Sequence, residues 1–215
     1  MKKIILFGDS IRMGYDKYVK EALERVAEVY YPAENSQYAE NLLRFAHEWI
    51  QKSGFDGKEV DLIHWNAGLW DCLELFGDEP LSTPDYYRNA IQRVNKRLRA
   101  CCPNAKIVFA TSTSVNEAIA NPDFFRHNSV IEKYNEIAKE ALFGSDTRIN
   151  DLYPLSRALP DSYRSDWVHF YTPEGTEAIG GRVLSVICSE LDIAASEINI
   201  ENFEPEKYSK ANIGY

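Results

Sequence analysis

Ile4-Ile5-Leu6-Phe7-Gly8-Asp9-Ser10 is the stretch on which the reading of the chain turns. Four consecutive apolar side chains closed by a glycine fit a short strand buried on both faces, as strands are in parallel sheets. Beyond it, Tyr18, Ala22, Val26 and Val29 recur at helical spacing, and Glu28-Val29-Tyr30-Tyr31-Pro32 reads as a second strand stopped by proline. Strand, helix and strand in that order make a β-α-β unit.

The alternation continues to the end of the pattern. Residues 38–51, with Tyr38, Leu42, Phe45 and Trp49, are helical in spacing; Gly54 and Gly57 break the pattern, and Val60 to Asn66 is a third strand. Pro84 opens a helix carrying Tyr87, Ile91, Val94 and Leu98, which Pro103-Asn104 ends; Ala105 to Ala110 is strand four. A helix from Asn128 to Phe143, a weak fifth strand from Thr147 to Leu152 and a last helix from about Pro173 to Leu191 complete it. Strands joined by helical crossovers give a parallel sheet covered on both faces. The expected fold is α/β: a three-layer α/β/α sandwich around a five-stranded, mainly parallel sheet of flavodoxin-like type.

At 215 residues, 45% apolar and 27% charged, the chain suits one globular domain. Its 24 basic and 33 acidic residues leave a net charge of −9, which disfavours a nucleic-acid partner. Cys72, Cys101, Cys102 and Cys188 are too sparse for a disulfide scaffold and lack zinc-ligand spacing, so reduced thiols are expected. Only four apolar residues precede Gly8, too few for a signal peptide, and no apolar run nears the length of a membrane span. A cytoplasmic location is the expectation. The tail 192–215 loses periodicity, and Ile193, Ile198, Ile200 and Phe203 are expected to pack on the body or on a neighbouring subunit; the sequence does not set the oligomeric state.

Ligands of open α/β sheets bind beyond the carboxyl ends of the strands. Three clusters fall there: Gly8-Asp9-Ser10, Asn66-Ala67-Gly68-Leu69-Trp70-Asp71, and Asp166-Trp167-Val168-His169 before the last helix. A serine hydroxyl becomes a nucleophile when an imidazole takes its proton, and an imidazole needs an acceptor on its second nitrogen to fix the tautomer. Ser10, His169 and Asp166 are the candidates for these three roles. Main-chain N–H groups of Ser10 and Gly68, helped by the helix end, would face a developing oxyanion, with a side-chain amide from Asn66 or Asn35 added.

These residues resemble the blocks of the SGNH/GDSL hydrolase superfamily, whose members carry Gly-Asp-Ser near the N-terminus and Asp-x-x-His near the C-terminus. The resemblance spans Ile4 to about Leu191, making 1–191 the catalytic domain, and its most specific part is Asp166-Trp167-Val168-His169-Phe170-Tyr171-Thr172-Pro173-Glu174-Gly175. It implies Ser10 as nucleophile, Asp166 and His169 as its partners, and the family's α/β/α sandwich. In Glu34-Asn35-Ser36-Gln37-Tyr38 the family's oxyanion glycine is absent and Ser36 stands in its place. In Gly68-Leu69-Trp70-Asp71 a tryptophan, Trp70, occupies the position of the asparagine donor.

Among other candidates, His64 reads as a hydrogen-bonded core residue and His47 as a solvated one. Arg126 lies at the correct edge of the sheet to contact a polar substrate, while Asn128 reads as a helix cap. Neither a metal-ligand cluster nor a Gly-rich phosphate cradle appears, so no cofactor and no metal are expected. Aromatic residues around these loops suit sugar rings and acyl groups alike. With the resemblance, this makes an acetyl ester of a carbohydrate, or another small ester, the expected substrate. The alternatives are a lipid-directed esterase, lysophospholipase or thioesterase, and a catalytically silent carbohydrate-binding or interaction protein.

Overall fold

The opening apolar run forms strand β1 (Lys2–Phe7), in which Ile4 to Phe7 are fully buried. A computed structural model describes residues 1–200 of the chain; residues 201–215, Phe203 among them, lie outside the described residues. After β1 come α1 (Ser10–Leu23), β2 (Ala27–Tyr30), α2 (Ala39–Lys52), β3 (Leu62–Trp65) and β4 (Glu74–Leu75). The chain continues through α3 (Pro84–Cys101), β5 (Lys106–Ala110), β6 (Phe124–Phe125), α4 (Asn128–Leu142), β7 (Arg148–Asn150), α5 (Tyr153–Ala158) and α6 (Pro173–Leu191).

Five strands pair in the order β2-β1-β3-β5-β7, all parallel, so their carboxyl ends share one edge. This is the flavodoxin-like order, and the chain reverses direction of travel across the sheet between β1 and β3. Helix α1 packs with α6, while α2, α3 and α4 pack in sequence with one another, giving the two outer layers. Register places Phe7 beside Trp65 and Trp65 beside Phe109. The Trp65 and Phe109 rings meet edge-on at 4.8 Å, a contact worth about 0.5–1.5 kcal/mol beyond its buried area.

Capping residues set where the helices begin. The Asp9 carboxylate accepts the Ile11 N–H at the start of α1. Thr83 and Thr172 do the same for α3 and α6, each followed by a proline whose missing N–H costs nothing in a first turn.

Several boundaries depart from the periodicity. The helical spacing ends at Leu23: Val26 lies in the turn, donating its N–H to the Leu23 carbonyl, and Val29 belongs to β2. Strands β3 and β7 are shorter than the stretches read for them. The antiparallel ribbon of β4 and β6 and the helix α5 were not anticipated, because elements of two to six residues are too short to show a period. Of the tail, Ile193, Ala195, Ile198 and Ile200 pack against the core, and the Ser196 N–H donates to the Ala22 carbonyl at 2.8 Å. Among the described residues no helix is long and apolar enough to cross a membrane.

Candidate active site

The carboxyl ends of β1 and β3 and the loop before α6 meet at one point on the sheet edge. Ser10 is the first residue of α1, where helix N–H groups lack intrahelical acceptors and the dipole is positive. Its Oγ lies 2.7 Å from Nε2 of His169. The other ring nitrogen, Nδ1, lies 2.7 Å from Oδ2 of Asp166. Ser10 and His169 are both buried, so the contact between them is shielded from water.

Asp166 is held by its own loop. Its Oδ1 accepts the N–H groups of Val168 at 2.7 Å and His169 at 2.8 Å, a turn that folds the chain back and leaves Oδ2 for the imidazole. Burial works against the Asp166 charge, but the hydrogen bond and positive field of His169 and these two N–H groups outweigh it and bring the carboxyl down to about 2. An ionised acceptor at Nδ1 puts the ring proton there, leaving Nε2 with a lone pair toward Ser10.

Ser36 is buried beside the turn that carries Ser10, but its N–H donates to the Gly8 carbonyl at 3.0 Å and its Oγ accepts the Gly8 N–H at 3.3 Å. Its amide is thus directed at Gly8 and not into the space before Ser10. Asn35 uses Oδ1 to accept the Gln37 N–H at 2.8 Å, which stabilises the left-handed conformation of Gln37 (φ 52°). Asn66 is buried with its carboxamide against Gly8 and Asp9; a Cβ on Gly8 would fall 1.9 Å from Asn66 Oδ1. Gly68 adopts φ +149°, and a Cβ there would lie 2.4 Å from Ser112 Oγ, so this turn of the loop admits glycine alone.

Trp70 and Arg126 come together beside the loop of Asp166 and His169. The buried guanidinium of Arg126 lies over Trp70, Phe124 and Trp167 at 5.8, 5.1 and 5.5 Å, and its Nε–H donates to the Leu69 carbonyl at 2.5 Å. This aromatic cluster ties the β4–β6 ribbon to the loop of Asp166 and His169, since Trp167 also stacks on Phe125. Asn128 does not cap α4. His127 holds the cap position, and the Asn128 carboxamide pairs with both main-chain groups of Val115 instead.

Three residues near the site have no role assigned by the sequence. Asp71, fully buried, accepts the Ala39 N–H with both oxygens at 3.1 and 3.3 Å and the Ser82 hydroxyl at 2.9 Å, fastening the Gly68 loop to the start of α2. Burial, with the charge of Asp9 adding to it, raises this carboxyl to about 7. Arg12, on α1 two residues after Ser10, pairs with Asp16 and donates to the carbonyls of Pro32 at 3.0 Å and Glu34 at 2.7 Å. Tyr171 lies against His169. Asp71 meets Ala39 across 32 residues, Arg12 reaches carbonyls 20 and 22 residues away and Tyr171 reaches the Ser10 carbonyl across 161, contacts that spacing alone does not reveal.

His64 is a core residue. The Asn150 carboxamide accepts from Arg182 through Oδ1 at 3.1 Å, which turns its NH₂ toward His64 Nε2 at 3.2 Å; burial then depresses this imidazole to about 3. His47 lies half-exposed beside Glu48 on α2.

No family model matches the chain, and no curated protein matches it in sequence. Solved structures do match in shape. The lipase/acylhydrolase from Enterococcus faecalis superposes with a TM-score of 0.68 at 18% identity, over 92% of this chain and all of that one (100%). The acetyl xylan esterase AlAXEase gives 0.67 at 18% identity, over 86% and 99% of the two chains. A GDSL-like lipase from Bacteroides thetaiotaomicron gives 0.61 at 16% identity, over 87% and 88%. Five parallel strands in this order, with helices on both faces, give the chain the fold of these GDSL-like lipase, acylhydrolase and esterase structures.

Proposed function

We propose that the protein is a cofactor-independent serine ester hydrolase that removes small acyl groups, acetyl above all, from carbohydrate or other small esters. The observation that carries this reading is the unbroken chain Ser10 Oγ to His169 Nε2 to Asp166, with 2.7 Å at each step. Ser10 Oγ attacks the ester carbonyl while its proton passes to His169 Nε2, and Asp166 holds the Nδ1–H and steadies the imidazolium. The tetrahedral oxyanion faces the N–H groups of Ser10 and Gly68. The imidazolium returns its proton to the leaving alkoxide, the acyl group stays on Ser10, and water activated by the same imidazole releases it.

The choice of a small acyl group on a sugar has two supports. Trp70, Phe124 and Trp167 surround Arg126 at the same edge, a pairing of flat apolar faces with a fixed charge that suits a polar ring. One structure of similar fold is an acetyl xylan esterase.

The test is fluorophosphonate labelling of the wild type and Ser10→Ala, followed by an ester panel running from aryl acetate to long-chain esters and acetylated xylo-oligosaccharides. Labelling that needs Ser10, with acetate release falling as the chain lengthens, is expected. Preference for long acyl chains would move the protein to the lipid-directed class, and an unreactive Ser10 would leave a binding protein on a silent scaffold.

A further inference from the structure

Tyr171 makes two contacts with the proposed catalytic pair. Its ring lies over the His169 imidazole with centroids 4.6 Å apart and planes inclined by 25°, a stacked arrangement. Its hydroxyl donates to the main-chain carbonyl of Ser10 at 2.5 Å. An edge of the ring lies close against α1: a Cβ on Gly14 would fall 2.6 Å from Tyr171 Cε1 and 2.7 Å from Cδ1, so glycine is what lets the phenol approach the helix this closely.

An aromatic face carries negative potential and attracts a cation held within about 6 Å of its centroid. The imidazole is neutral before attack and cationic in the transition state, so a ring on its face gains attraction only as the proton arrives. The charged groups around the imidazole are Asp166 on its own loop and Asp9 at the start of α1, with Arg126 beside Asp9 and Arg164 beside Asp166. Asp166 meets the ring at its Nδ1 edge, and Tyr171 covers a face.

We propose that Tyr171 is a positioning residue for the Ser10–His169 pair: it holds the imidazole from its face, ties that hold to the nucleophile's own carbonyl, and favours the charged ring. The inference rests on the serine-hydrolase reading for its consequence in turnover, but not for its effect on the imidazole.

Tyr171→Leu removes the aromatic face and Tyr171→Phe removes only the hydroxyl. In histidine-labelled protein, with His169→Gln to assign the resonance, Tyr171→Leu is expected to lower the pH midpoint of the His169 ring-proton signal by about half a unit to one unit. Tyr171→Phe should leave that midpoint within about 0.2 unit of the wild type, since the face remains. On an aryl acetate, Tyr171→Leu should lower kcat about three- to tenfold with KM within about twofold, and Tyr171→Phe should restore most of it. If Tyr171→Leu does not fold, Tyr171→Met, apolar and flexible without a π face, takes its place. A midpoint in the Leu or Met variant that matches the wild type overturns the proposal, as does a Phe variant that shifts as far as Leu. A wild type that cleaves no ester and takes no fluorophosphonate defeats the hydrolase reading alone, because the resonance still decides on Tyr171.

Discussion

Asp71→Asn should change how stability depends on pH. The Asp71 carboxyl is fully buried and sits at about 7, against an ordinary aspartate value of 3.8. Folding therefore favours its protonated form. The unfolded chain gives up this proton near pH 4 and the folded one near pH 7, so the folded state binds more protons in between and stability falls as pH rises through that window. A difference of about 3 units at 1.36 kcal/mol each sets a ceiling of about 4 kcal/mol, of which about 2–3 kcal/mol develops between pH 5 and 8. Asparagine keeps an acceptor for the Ala39 N–H but cannot ionise, so the variant lacks this slope. Urea unfolding followed by fluorescence of the four tryptophans would read it at pH 5, 6, 7 and 8. At about 2–3 kcal/mol per molar urea, the variant's midpoint should gain about 1 M on the wild type across the range. Asp9, also buried and raised, stays in both proteins and contributes to both slopes. A gap between the two midpoints that stays constant from pH 5 to 8 would refute the reasoning.

Two substitutions probe the triad and the oxyanion side separately. Gly68→Ala forces a Cβ onto a φ of +149° and against Ser112 Oγ; if the loop turns and its N–H is lost to the oxyanion, kcat should fall about 100-fold with KM little changed, as steady-state kinetics on an aryl acetate would show. Asp166→Asn leaves a neutral partner at Nδ1 that no longer holds the reactive tautomer, so kcat should drop about 10³–10⁴-fold while circular dichroism stays that of the wild type.

The central strands of the sheet were legible because they hold continuous apolar runs, Ile4 to Phe7 and Ile107 to Ala110 being the clearest, and burial on both faces leaves no polar alternation to confuse them. The helix after β1 was read too long, since Val26 and Val29 keep a helical interval by chance after the chain has turned. Ser10, Asp166 and His169 stood out because each lies beside a feature that sequence marks well, a strand end or a helix start. The donors around them did not. The direction of the Ser36 N–H depends on where Gly8 lies, 28 residues away, and the setting of Asp71 on Ala39, 32 residues away. Such contacts are made by the fold and leave no spacing in the chain. The same holds for the ribbon of β4 and β6, which joins residues 74–75 to 124–125.

The grip of Arg12 bears on how a site of this shape can change. Because one guanidinium on the helix of Ser10 holds the carbonyls of Pro32 and Glu34, that stretch of chain is tied directly to the element that carries Ser10. The two-strand ribbon is held to the loop of Asp166 and His169 by aromatic contacts instead. For the proposed esterase, new substrate preferences are to be sought by altering the aromatic residues 70, 124 and 167 and not the hydrogen-bonded segment around residue 34.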